Sequence, residues 1–126
     1  SSLSGLDEIS INESDSALVV EKAEFENAET PDGFSKIYIT VRNQGGEDGT
    51  IVNIIVDFID ENGDILSTTY PQYGSVLEDG QSCRMEAMYE GVPYGIRVAS
   101  ANMTSLSGNE RIEVVFDKAF VAINPQ

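Results

Sequence analysis

Nucleophilic and acid–base chemistry mostly draws on histidine, cysteine and paired carboxylates. This chain has no histidine and one cysteine. Cys83 alternates with Gln81, Met85 and Ala87, the period of a strand. An activated thiol needs a histidine or cationic neighbour on its own side. Arg84 is adjacent in sequence but falls on the opposite strand face. Cys83 therefore reads as a small buried hydrophobe, and alone it closes no intrachain disulfide. A serine nucleophile would lack a histidine partner and the G-x-S-x-G elbow.

Carboxylates are plentiful: 22 acidic residues against 7 basic ones, a net charge of −15. Carboxylate catalysis needs one acid raised in pKa by an apolar pocket. Only Glu21 and Asp57 interrupt or flank apolar strand faces, and both read more readily as solvated side chains. Asp60, Asn62 and Asp64 have the look of a calcium loop, but an EF-hand wants Gly sixth and Glu twelfth. Here Gly63 is fourth and Pro71 twelfth, so the segment reads as a turn. A weak surface cation site would have to recruit Glu47 and Asp48 from a neighbouring loop. The expectation is no catalytic residue, no metal and no cofactor.

The same charge disfavours nucleic acid, whose phosphates need clustered Lys and Arg. It equally disfavours anionic membrane surfaces. Self-repulsion favours a soluble monomer. No apolar run approaches the ~20 residues of a membrane helix. No signal segment stands at Ser1, so the chain reads as cytosolic or as starting after a removed leader.

The elements that must position these residues are strands. Thr50 to Tyr73 organises them: a two-faced apolar strand, a turn and a second strand. Strict alternation puts Val52, Ile54, Val56 and Phe58 on one face and Ile51, Ile55 and Ile59 on the other. Asp60-Glu61-Asn62-Gly63 is a hairpin turn. A three-residue loop, Glu61 to Gly63, would pair Ile59 with Ile65 and Phe58 with Leu66. Pro71 ends the second strand.

Residues 1–16 are Ser-rich and acidic and read as a flexible tail or tether; residues 17–126 read as one domain. Ala17 to Phe25 is a first strand with Val19, Ala23 and Phe25 inward, and Glu21 marks a bulge or an edge. Lys36 to Asn43 turns Ile37, Ile39 and Val41 inward. Gln81 to Tyr89 faces Cys83, Met85, Ala87 and Tyr89 inward. Ile96 to Met103 does so with Ile96 and Val98. Arg111 to Ile123 marks its face with Ile112, Val114, Phe116 and Phe120. Seven strands, regular turn signals and no helical period predict an all-β fold, a seven-stranded antiparallel immunoglobulin-like β-sandwich, with a closed barrel as the alternative. Tyr70, Tyr73, Tyr89 and Tyr94 gather near the later loops, as a core rim or a recognition surface.

Three motifs in order resemble the FxLYD domain family. Val56-Asp57-Phe58-Ile59-Asp60 stands where the aromatic-apolar strand ends in Asp, with Val56 at the first Phe, Phe58 at the Leu and Ile59 at the Tyr. Ile39 to Asn43 is similar to the family's G-x-V-x-N strand, and Leu77 to Gln81 to its L-x-P-G-E turn, with Asp79 replacing the proline. The resemblance spans about Val19 to Ala101. It implies an exported bacterial domain of lipoproteins or envelope proteins, immunoglobulin-like, with no enzyme activity and no functional residue carried over. A lipid-bearing cysteine would lie upstream of Ser1. The expected function is a non-enzymatic extracellular or cell-envelope module for binding, adhesion or spacing, with an unknown protein or polysaccharide as partner. The alternatives are a carboxylate-based hydrolase or a cation-dependent adhesive domain.

Overall fold

A computed structural model describes residues 17–105 and 111–125. Alternating apolar residues and glycine-marked turns give eight strands among the described residues: β1 (Leu18–Glu26), β2 (Phe34–Asn43), β3 (Gly49–Ile59), β4 (Ile65–Thr69), β5 (Val76–Leu77), β6 (Ser82–Glu90), β7 (Gly95–Ser105) and β8 (Arg111–Ile123). No helix occurs among these residues. The count exceeds the expected seven by the two-residue β5. The expected tail, residues 1–16, lies outside the described residues.

The strands form two antiparallel sheets, β1-β2-β6 and β4-β3-β7-β8, with β5 beside β4 on the same edge of β3. Their apolar faces meet in one core, in which Ile37, Ile39 and Val41 oppose Ile54, Val56, Phe58, Ile96 and Val98, all at most 1% exposed. Two separate sheets around one core make a β-sandwich rather than a closed barrel.

Strict alternation fails at several places, and three of them decide which residues enter the core. On β3 the ladder with β7 passes from Ile51↔Met103 to Asn53↔Asn102, leaving Val52 as the extra residue. An extra residue exchanges the two faces of everything beyond it. Ile51, not Val52, is therefore in phase with Ile54, and Ile51 is 1% exposed while Val52 is half-buried. On β1 the bulge falls at Glu21, between Val20 and Lys22, as its sequence position implied. Leu18 and Val20 point inward before it and Ala23 and Phe25 after it, so Val19 faces outward, contrary to expectation. On β7 the break between Val98 and Ser100 hands the core face from Ile96 and Val98 to Ala101 and Met103.

The central hairpin closes as a type I turn followed by a glycine bulge. Gly63 N–H donates to the Asp60 carbonyl at 2.9 Å, and Gly63 sits at φ +85°, where other residues are strained. The Asp60 carboxylate accepts the Asn62 and Asp64 amides, each at 2.9 Å. Ile59 pairs with Ile65 as expected, but Phe58 lies opposite Ser67 because Leu66 is extruded, 51% exposed. The expected Phe58–Leu66 pairing fails; Phe58 instead has Ile96 as its apolar cross-strand partner on β7 and Tyr89 across the sandwich, ring centroids 4.6 Å apart. β4 ends at Thr69, before Pro71. The chain nevertheless keeps to the β3 edge: the Pro71 carbonyl accepts Ile54 N–H at 3.0 Å, a role that needs no proline N–H.

Candidate functional site

The two carboxylates that could have formed a catalytic pair are held apart by the fold. Glu21 lies on the outer face of the β1-β2-β6 sheet, where its carboxylate takes the Ser82 hydroxyl at 3.0 Å and the Arg42 Nε at 3.4 Å. Asp57 lies on the outer face of the other sheet and accepts the Thr68 hydroxyl at 2.8 Å. Packed sheets are about 10 Å apart, so groups on opposite outer faces exceed the roughly 5–9.5 Å across which carboxylate pairs act.

The imagined cation cluster is also dispersed. Asp60 to Asp64 cap one end of β3, and Glu47 and Asp48 precede its other end. Eleven residues of strand, at about 3.3 Å each, lie between them. Among the described residues no three acidic, cysteine or histidine side chains are grouped to hold a metal ion. Asp48 instead belongs to a loop clasp: its carboxylate accepts the Asp79 amide at 3.0 Å, and the Asp79 carboxylate accepts the Gly46 amide at 3.0 Å. Asn43, fully buried, locks both loops by donating to the Glu47 carbonyl at 2.8 Å and the Leu77 carbonyl at 2.9 Å, while accepting Gly45 N–H at 3.0 Å.

Cys83 pairs with Val41 inside the sandwich and is 7% exposed. Burial disfavours the thiolate and pushes its pKa up to about 11. The tyrosines divide. Tyr73 and Tyr89 pack against the core, whereas Tyr70 and Tyr94 are exposed.

The outer face of the β1-β2-β6 sheet carries the densest polar organisation. Lys22, Lys36, Arg42 and Arg84, four of the 7 basic residues, lie on its strands among Glu21, Glu24, Glu26, Glu86 and Glu90. The Arg84 guanidinium stacks 4.1 Å above the Tyr38 ring and reaches Glu24 at 3.6 Å. The Tyr38 hydroxyl donates to Glu26 at 3.1 Å, and this bond raises the Tyr38 pKa because the carboxylate favours the protonated phenol.

At one end of this face the apolar residues reach the surface. Phe34 bridges to Gly91, the Ser35 hydroxyl donates to the Gly91 carbonyl, and Gly91 N–H donates to Gly33. Asn124 ties the C-terminal end to the same rim, donating its side-chain amide to the Pro93 carbonyl at 3.0 Å and to Asn27 at 2.7 Å. Around this seam Phe34, Met88, Val92 and Tyr94 are 40–56% exposed. A shallow cavity of about 170 Å³ opens beside Phe34, walled by Glu26, Glu29 and Lys36. Reading for chemistry passed over Phe34 and Met88. Met88 alternated outward on its expected strand, whereas Phe34 fell in the loop expected before Lys36.

No protein-family model matches the chain, and no curated protein matches it. Solved structures do. The X-ray structure of a Northeast Structural Genomics Consortium target superposes with a TM-score of 0.58 at 17% identity, covering 86% of this chain and 88% of that one. The crystal structure of the putative ApaA protein from Bordetella pertussis gives 0.56 at 11% identity, covering 86% and 94%. At these identities the likeness is one of fold.

Proposed function

We propose that this chain is a non-enzymatic binding module of the cell envelope or of the secreted space, built as an immunoglobulin-like sandwich akin to FxLYD domains. The strand order supports the topology. The β1–β2 and β7–β8 connections stay within one sheet, and β2–β3, β5–β6 and β6–β7 cross between sheets, as Greek-key sandwiches do. The order and spacing of the three motifs support the family. Fold alone assigns no activity, so function is argued from the surface.

The observation that carries the reading is the apolar rim on a rigid frame. Phe34, Val92 and Tyr94 are exposed together where the hydrogen bonds of Gly91, Ser35 and Asn124 fix the backbone. Exposed apolar side chains gathered within a polar surround mark interaction sites. The test is cosedimentation of the labelled domain with bacterial envelope fragments. Retention is expected, and the double substitution Val92→Ser, Tyr94→Ser should remove most of it while the unfolding free energy stays within about 0.5 kcal/mol of the parent. Retention untouched by that double variant refutes the reading.

A further inference from the structure

Sheet edges are where a chain can pair with another chain, and proteins usually blunt them with bulges, shortness or cover. Four of the five edge segments here are blunted. β1 carries the Glu21 bulge. β4 has five residues and an irregular register. β5 has two residues. β8 meets β7 through a broken register between Val98 and Ser100. β6 is the exception: its nine residues pair with Phe34 to Arg42 of β2 without a break, and its other side bears no strand among the described residues.

The side chains along that edge have a definite character. Ser82, Arg84, Glu86, Met88 and Glu90 face outward. Arg84 is already drawn back over β2 by the Tyr38 ring and Glu24. The Glu86 and Glu90 carboxylates make neither a hydrogen bond nor an ion pair among the described residues. Between them Met88 is 49% exposed, with Phe34, 56% exposed, diagonal to it across the ladder. The edge thus presents acid, apolar, acid at every second position, on a chain of net charge −15.

We propose that the β6 edge is a docking site for an extended basic peptide segment, which adds antiparallel to the β1-β2-β6 sheet as a fourth strand. Main-chain hydrogen bonds supply the pairing and alternate side chains the selectivity. Cations two residues either side of an aliphatic residue fall opposite Glu90, Met88 and Glu86. A second copy of this chain is the poorer occupant, because it brings a further −15 of like charge. The inference rests on the binding-module reading and names its partner class.

The probe is the peptide Thr-Lys-Thr-Val-Thr-Lys-Thr, titrated by calorimetry and followed by amide hydrogen exchange. Saturable binding by about 1 mM is expected, with protection confined to the outward amides of β6. Two versions N-methylated at alternate amides separate strand addition from charge attraction. One should lose binding by more than about tenfold and the other should keep it, because only every second amide of an added strand faces its neighbour. Glu86→Gln and Glu90→Gln should each weaken binding about twofold to fivefold, and Glu61→Gln, the same charge change in the β3–β4 turn of the other sheet, should not. Equal binding by both methylated peptides, equal loss in the Glu61→Gln protein, no binding at 1 mM peptide, or a β6-dependent dimer in sedimentation would each overturn the proposal. If the peptide fails while envelope retention still depends on Val92 and Tyr94, the β6 inference falls alone. If the peptide binds as a strand and envelope retention is absent, the edge site stands and the envelope reading falls.

Discussion

Ile51→Ala and Val52→Ala, two neighbouring substitutions, measure whether the β3 bulge is real. Ile51 is 1% exposed against Met103, and Val52 is half-buried on the outer face. Ile51→Ala removes three carbons from packed core and leaves a cavity beside Met103. At ~0.8 kcal/mol per buried methylene plus the cavity term, the expected loss is about 3–4 kcal/mol. Val52→Ala removes two carbons that are only partly covered, so the expected loss is about 1 kcal/mol. The difference, about 2–3 kcal/mol, is a large part of the ~5–15 kcal/mol typical of a domain. Urea unfolding followed by circular dichroism resolves it, provided the three proteins share one m-value. Equal losses, or a larger loss at Val52, would mean that β3 alternates without interruption and that the described core face is wrong before Asn53.

Asn43→Ala should cost about 3 kcal/mol, since it strands the Glu47 and Leu77 carbonyls and the Gly45 amide; hydrogen exchange should quicken in both loops of the clasp. Cys83 should resist thiol reagents at pH 8 while the protein is folded, and label at once in denaturant. Its folded pKa of about 11 lies above the ordinary thiol value of 9.0, so the unfolded thiol ionises first and stability should fall as pH rises from 9 towards 11. Comparison with Cys83→Ala isolates that slope from the one Tyr38 adds, and identical slopes would contradict the burial of Cys83. Sodium chloride should raise the melting temperature by screening the net charge of −15, and calcium chloride at equal ionic strength should add little. Several further degrees from millimolar calcium would reveal a cation site and revive the cation-dependent adhesive reading.

Period-two patterning made the core faces of β2 and β6 legible, because each is unbulged and buries one side: Ile37, Ile39 and Val41, then Cys83, Met85 and Ala87. It was legible on β3 only after Asn53. Bulges insert a residue without a residue-type signature, and Val52 is as apolar as Ile51, so composition did not tell which would face the core. Glu21 could be read as a break because a charge at an inward position is costly enough to mark one. The candidate surfaces were the least legible. Phe34 fell in an expected loop, and which outward faces stay uncovered depends on how the sheets are arranged, which a strand's own residues do not state.

The sequence by itself determined that the chain is all-β, that Asp60 to Gly63 turns a hairpin, and that Cys83 is buried and unsupported by histidine. These follow from local rules: alternation, turn chemistry and net charge act within a few residues or over the whole chain. Only the tertiary structure decided which strands are edges, which of Ile51 and Val52 enters the core, and that Glu21 and Asp57 stand on opposite outer faces. Those depend on which strand lies beside which, and in a sandwich most of that pairing joins residues far apart in sequence, such as Arg42 with Ser82 and Asn53 with Asn102.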